Sequence, residues 1–276
     1  MSSTMPKKKS IARFKAAVQA HGKAAGRHTL PWRTNPSPYR VLVSEYMLQQ
    51  TQVERVVPKF QAFMRAFPDW RVLAQATLRR VYALWRGLGY NRRAKYLRDA
   101  AKRVVAHGVL LNDEAFIRTL PGVGPYTAGA IRAFAFGSSE PFIETNIRTA
   151  VTHHFFPGTR TVRDAEVLAV LERLRPRNGA AARDWYAALM DYGAHLKRSG
   201  VRLNVRAHGY AKQSKFEGSL RQLRGAIVRE LAEGGAGEVA LVKRTKRKAV
   251  EVKKALAGLT RDGLIEKKGK AYCLAA

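Results

Sequence analysis

The sequence predicts an all-α body followed by a small, basic α+β domain of winged-helix type. Three observations carry that expectation. Through most of the first 200 residues, short apolar stretches with helical spacing alternate with Pro, Gly and polar turns, and few segments alternate as strands do. At Leu120 a glycine-rich turn runs into a helical pattern that reaches Ile131. After about Ser199 the composition shifts to a polar, basic stretch, and from Ser219 a new series of helices and a hairpin begins. The division falls between residues 1–215, the body, and 216–276, the basic domain. A chain of 276 residues, 46% of them hydrophobic, can bury one sizeable core and a smaller second one.

In chain order, Pro36 and Pro38 open a helix that runs through Tyr39 to about Gln50. Val41, Leu42, Val43, Tyr46, Met47 and Leu48 make it apolar almost all round, so it is expected to be buried on most sides with Glu45 inside it. Pro58 is expected to interrupt the next apolar pattern, which ends before Pro68. In Leu120-Pro121-Gly122-Val123-Gly124-Pro125, the glycines let backbone amides turn outward at a helix N-terminus, where the dipole favours a phosphate. This is the hairpin of a helix-hairpin-helix; an ordinary helix–helix connection is the alternative. His153 and His154 are adjacent, cannot share a helix face as paired ligands, and are read as structural or DNA-facing.

Arg202 to Lys215 reads as a linker or docking loop. An amphipathic helix then runs from Ser219 through Leu231, with a Gly-rich break at Gly234–Gly237 and a short Val239–Val242 segment. A second helix spans about Arg247 to Asp262, and Leu264–Leu274 forms a hairpin with Gly269 in its turn. Helices followed by a basic hairpin describe a winged helix. Lys243, Arg244, Lys246, Arg247 and Lys248 either add a DNA contact or are simply solvated charges on a packing domain.

Fifty-one Lys and Arg against twenty Asp and Glu give a formal charge of +31, which attracts polyanions and repels another copy of the chain. Double-stranded nucleic acid is the expected partner and a monomer the expected state; a solvated basic surface on an ordinary enzyme is the alternative. The one cysteine, Cys273, allows neither an intramolecular disulfide nor a Cys-based metal or cluster site. Lys7, Lys8 and Lys9 are followed by no apolar leader core, and no run approaches the roughly 18 apolar residues of a membrane span. The expectation is a soluble protein of a reducing cytoplasm, at the nucleoid if bacterial, without a membrane partner or metal.

Five segments, in order, resemble the MutY-type adenine glycosylases of the helix-hairpin-helix superfamily. They are Leu30-Pro31-Trp32-Arg33 with Pro38-Tyr39; Ser44-Glu45-Tyr46-Met47-Leu48-Gln49-Gln50-Thr51-Gln52-Val53; Gly87-Leu88-Gly89-Tyr90; the Leu120–Ile131 hairpin; and Met190-Asp191-Tyr192-Gly193-Ala194. Together they cover about residues 28–196. The resemblance implies a helix-hairpin-helix DNA glycosylase fold and a monofunctional glycosylase of base excision repair, which hydrolyses the bond to a flipped adenine mispaired with G or 8-oxoguanine and leaves an abasic site.

The chemistry independently asks for two carboxylates. Adenine leaves poorly unless a proton is delivered to it, and an oxocarbenium-like sugar needs a negative charge nearby. Glu45 in its apolar helix is expected to stay protonated by desolvation, and the resemblance implies that it protonates the base. Glu144, in Phe142-Ile143-Glu144-Thr145-Asn146, stands where the family has Asp; with Asn146 beside it, it is the candidate to stabilise the cation and orient water. A carboxylate that merely complements a helix N-terminus is the alternative. Tyr126 occupies the position where bifunctional relatives carry an imine-forming lysine, so no imine-dependent strand cleavage is expected, and Tyr126 is read as lining the sugar pocket. The resemblance also implies that Trp32 and Arg33 flank the base pocket. By the same token Gln50 and Tyr90 fill or wedge the base stack, Thr51 approaches the opposite base, and Gly122, Val123 and Gly124 hold a phosphate.

Two departures stand out. Family members usually carry four cysteines after the segment matching Met190–Ala194, whereas residues 195–216 contain none, so no iron–sulfur cluster or other cofactor is expected. They also commonly end in a larger domain that inspects 8-oxoguanine. Two rival readings stay open: a thymine or uracil mismatch glycosylase on the same fold, which has no need of the Glu45 acid, and a non-catalytic DNA-binding module, which the Asp-to-Glu change at 144 keeps alive.

Overall fold

A computed structural model describes residues 8–108, 112–158, 161–176, 179–203 and 215–275. The chain is mostly helical and divides into two compact units that interleave along the sequence, Met1–Val41, Asn112–Arg118 and Val123–Lys212 in the first, Leu42–Leu111, Thr119–Gly122 and Gln213–Ala276 in the second.

The first unit is built on α1 (Lys8–Ala25), the short α2 (Pro31–Thr34), α9 (Pro125–Phe136), α10 (Thr145–Phe155), α11 (Asp164–Leu174) and α12 (Ala180–Arg198). Phe14, Val18, Ile147, Val151, Val167, Leu171, Leu174, Tyr186 and Leu189 form its core. α12 packs on α10, α1 and α9. Its approach to α10 depends on Gly193, where a Cβ would lie 2.0 Å from the Asn146 carbonyl oxygen. His154 on α10 packs its ring edge to face with Phe14 and pairs through Nε2 with the Tyr192 hydroxyl at 2.7 Å, while His153 is exposed.

The second unit contains most of α3 (Pro38–Leu48), α4 (Val53–Ala66), α5 (Trp70–Gln75), α6 (Leu78–Trp85) and α7 (Arg92–His107). α8 (Glu114–Thr119) leads into the glycine hairpin. As expected of a helix apolar almost all round, every residue from Val41 to Met47 is buried, Ser44 and Glu45 included. The expected interruption at Pro58 does not occur: α4 continues through it, with Val56, Phe60 and Phe63 buried on one face. Burying those side chains at about 1.5–3 kcal/mol each exceeds the roughly 3 kcal/mol cost of an interior proline.

The C-terminal residues run α13 (Leu220–Glu233), β1 (Ala236–Gly237), α14 (Glu238–Thr245), α15 (Ala249–Arg261), β2 (Ile265–Lys268) and β3 (Ala271–Leu274). The three antiparallel strands lie in the order β1-β3-β2, the topology of a winged helix. Ser219 caps α13 by accepting from the Gln222 amide, and Gly269 sits in the hairpin turn with φ +59°. Leu223, Ile227, Leu231, Leu241, Val252, Leu256 and Ile265 fill the interior. Of the loop expected from Arg202 to Lys215, residues 204–214 lie outside the described residues. No helix among the described residues is long and apolar enough to cross a membrane.

Candidate active site and nucleic-acid interface

Within the second unit, Glu45 stands on α3 with 4% of its surface exposed. The helix ends three residues later in a tight turn, where Gln50 adopts a left-handed φ of +55°. A second turn, Gly87-Leu88-Gly89-Tyr90, carries Tyr90 at φ +47°. A non-glycine residue in that region costs on the order of 1 kcal/mol, so surrounding contacts must hold it. Arg93 supplies them. One terminal nitrogen donates to the carbonyls of Tyr46, Met47 and Gln49 at 2.7, 2.9 and 2.6 Å. The other donates to the carbonyls of Leu88 and Gly89 at 2.9 and 3.1 Å and to the Thr51 hydroxyl at 3.2 Å. One guanidinium thus joins the two turns that present Gln50, Thr51 and Tyr90. Burial pushes its pKa down to about 10, partly countered by Tyr90, which leaves it charged at neutral pH.

The same unit positions the first half of the hairpin. The Tyr46 hydroxyl, its pKa raised by burial, donates to the Pro121 carbonyl. Gly122 takes φ +78°, and a Cβ there would lie 2.6 Å from the Tyr96 ring, so both backbone and space demand glycine. Gly124 differs from expectation: it caps α9 in an extended conformation, φ −91°, with open space where a side chain would be. Its backbone conformation therefore makes no demand for glycine. Its position still puts the first amides of α9 at a helix N-terminus, and Val123 before it is buried.

In the first unit, Glu144 is the N-cap of α10. One carboxylate oxygen accepts from the Asn146 amide at 2.6 Å and the other from the Thr145 hydroxyl at 2.5 Å. The capping alternative foreseen for this residue is thus realised in its local geometry. Asn146 is held in turn by Lys197 of α12, whose Nζ donates to Oδ1 at 2.7 Å. Burial lowers the Lys197 pKa while the charge of Glu144 raises it, and burial wins. Tyr126, in the first turn of α9, packs beside Phe142 with ring centroids 6.2 Å apart. Trp32 is buried on α2. Arg33 grips Asp191, its terminal nitrogens 2.7 and 3.1 Å from the two carboxylate oxygens, and Arg27 holds the same carboxylate through its backbone amide and guanidinium. Burial alone would raise the Asp191 pKa; the hydrogen bonds and charges of Arg33 and then Arg27 outweigh it and hold the carboxyl below its usual value.

Sequence reasoning did not single out Arg93, Lys197 or Asp191 for these roles. A usable signal existed for Arg93, which falls on the apolar stripe of α7 with Leu97, Ala100, Ala101 and Val104, and for Asp191, an acid within a largely apolar helix.

Short helices around a glycine hairpin that opens a helix N-terminus define a helix-hairpin-helix protein. Residues 43–192 match the profile of the HhH-GPD superfamily base excision DNA repair proteins, and the chain belongs to that superfamily. Similarity extends to the adenine DNA glycosylase of Mycolicibacterium smegmatis, 34% identical over 73% of this chain and 75% of that protein. The adenine DNA glycosylase of Mycobacterium tuberculosis is 38% identical over 60% of this chain and 56% of its own length. Among solved structures, a thermostable thymine-DNA glycosylase shares the fold, with TM-score 0.59, 23% identity and coverage of 67% of this chain and 87% of that one.

The iron–sulfur cluster that the resemblance would bring does not fit these residues. The sole cysteine lies on β3, with Sγ 3.8 Å from the Glu266 carbonyl. After Ala194, Leu196 enters the core and Lys197 turns its amine to Asn146.

Proposed function

We propose that this protein is a monofunctional adenine DNA glycosylase that binds duplex DNA and hydrolyses the N-glycosidic bond of a flipped adenine mispaired with G or 8-oxoguanine. The observation that carries the reading is the buried carboxyl of Glu45 on α3, inside the superfamily match and directly preceding the Gln50–Thr51 turn. Curated relatives named adenine DNA glycosylase support it.

In this reading Glu45 delivers a proton to the adenine, which turns a poor leaving group into a neutral base. As the bond lengthens, positive charge develops on the sugar, and the Glu144 carboxylate stabilises it and orients water for attack. The groups that keep that carboxylate in place are the Asn146 amide of its own helix and the Thr145 hydroxyl, and Lys197 holds the Asn146 side chain beside it. Tyr126 offers no amine, so the product is an abasic site rather than an imine-linked, cleaved strand. Trp32 and Arg33 border the base pocket, Arg33 braced by Asp191. Gln50 and Tyr90 occupy the vacated stack, Thr51 approaches the opposite base, and the amides around Gly122, Val123 and Gly124 receive a phosphate.

Residues 216–276 form a second DNA-contacting module in this proposal. Within the second unit, the C-terminal unit of residues 216–276 has Glu230, Glu251, Asp262 and Glu266 each paired with a base, while Lys246, Lys248, Lys253, Lys254 and Lys270 are exposed. In this reading the enzyme works as a monomer, without a cluster, in the cytoplasm, and at the nucleoid if bacterial.

The test is incubation with duplexes carrying A·8-oxoG, A·G, T·G and U·G, followed by alkali to reveal abasic sites. Release is expected from the adenine duplexes only, and Glu45→Gln should abolish it while duplex affinity stays nearly unchanged. Cleavage at T·G or U·G in place of adenine would refute the substrate, and turnover by Glu45→Gln would refute the acid.

A further inference from the structure

The C-terminal unit touches the tyrosine assigned to the base stack. Arg221, in the first turn of α13, donates through a terminal nitrogen to the Tyr90 hydroxyl at 2.5 Å. Its guanidinium lies 5.2 Å from the Tyr90 ring centroid and 5.3 Å from that of Phe216. Arg93 places a second guanidinium 5.4 Å from the same tyrosine ring. Beside this contact the C-terminal unit is fastened to the region around Tyr90 by ion pairs: Arg92, two residues beyond the tyrosine, meets Asp262 at 3.4 Å, Arg224 pairs with the same carboxylate, and Arg86 pairs with Glu233.

A left-handed tyrosine at the end of a glycine turn has a backbone fixed from beneath by Arg93 but a ring whose direction that backbone does not settle. Two cations against the ring and a charge-assisted hydrogen bond to its hydroxyl select one direction. We propose that Arg221 is a positioning residue for Tyr90, so that the C-terminal unit orients the side chain that enters the duplex and takes part in interrogating the base pair. The proposal rests on the reading of Tyr90 as the residue that penetrates the stack. It gives the unit a task that its charge alone does not: a basic surface raises affinity for any duplex, whereas Arg221 governs what happens at the mismatch after binding.

The experiment uses the full chain and a duplex with 2-aminopurine beside an A·G mismatch, whose fluorescence rises when its neighbour is unstacked. Wild type should raise the signal on binding. Arg221→Ala should lose most of that rise and slow single-turnover base release by about tenfold, the effect of removing one well-placed interaction. Its affinity for matched duplex, measured by anisotropy, should change less than about threefold, the scale of a single phosphate left without its cation. Arg221→Lys, which keeps a cation on the ring, should recover part of both signals. In a Tyr90→Ala background the Arg221→Ala change should cost less than about twofold, because the effects of touching residues are not additive.

An unaltered fluorescence rise in Arg221→Ala would overturn the proposal. So would an undiminished tenfold loss in the Tyr90→Ala background, since Arg221 would then act through DNA directly. Absence of base release by the wild type would instead refute the glycosylase reading, and the fluorescence arm would still decide whether Arg221 directs Tyr90.

Discussion

Replacing Arg93 by Met should destabilise the protein by about 3 kcal/mol, and the figure follows from what its guanidinium holds. Met has similar length and fills much of the same volume, so the change removes donors with little loss of packing. Of the carbonyls that Arg93 serves, those of Tyr46, Met47 and Leu88 are buried. An acceptor left unsatisfied out of reach of water costs about 1–3 kcal/mol. Leu88 keeps the Thr51 hydroxyl at 3.3 Å and Gly89 the Trp85 indole N–H at 3.1 Å, and Gln49 is less buried; Tyr46 and Met47, at about 1.5 kcal/mol each, give about 3 kcal/mol. For a chain of this size, the loss corresponds to a fall in Tm of about 6–12 °C. The assay is urea and thermal unfolding by circular dichroism, with Arg93→Lys in parallel. A lysine is a point charge that cannot fork between the two turns, so it should recover less than half of the loss. A Met variant within about 1 kcal/mol of wild type would mean that the turns hold their left-handed residues without the arginine, and would refute the reasoning.

Three further outcomes are expected. Glu144→Gln should be at least as damaging to base release as Glu144→Asp, because the amide removes the negative charge while the shorter acid keeps it; wild-type single-turnover rates from the Gln variant would reduce Glu144 to a helix cap. Deleting residues 217–276 should make the log–log dependence of duplex affinity on salt shallower by about 0.9 for each phosphate that is no longer neutralised, and an unchanged slope measured from 50 to 300 mM salt, roughly the range over which such slopes are read, would show that the C-terminal unit does not touch DNA. Asp191 has a folded pKa below its ordinary 3.8, so its contribution is present above that value and is lost as pH falls through the folded pKa. Asp191→Asn should therefore be about 3 kcal/mol less stable at neutral pH, the cost of breaking a buried pair, and the difference should close only in strongly acid solution; melting curves with a pH-independent difference would contradict this.

Much of the scaffold was legible because it depends on local pattern. The stretch from Val41 to Met47, apolar but for Ser44 and Glu45, pointed to a helix buried on most sides with Glu45 inside it, and that is what forms. Gly122 announced a turn that no side chain fits, and the alternation of helices with Gly234–Gly237 and Gly269 marked out a winged helix. Pro58 was misread because a single residue's preference is local, whereas the burial of Val56, Phe60 and Phe63 that overrides it is a property of the packed unit.

What the sequence by itself determined is therefore composition and periodicity: a basic helical protein with a glycine hairpin, an acid in an apolar helix, one cysteine and a winged-helix end. Only the tertiary structure decided which of fifty-one basic residues is structural. Arg93 is separated from the carbonyls of α3 by more than forty residues, Arg33 from Asp191 by 158, and Arg221 from Tyr90 by 131. A guanidinium is used as a buried connector, an ion-pair partner or a cation on an aromatic ring according to what the fold brings within about 3 Å of its donors and 6 Å of its plane. Those distances are set by packing between segments remote in sequence, and the identity of the residue alone carries no record of them.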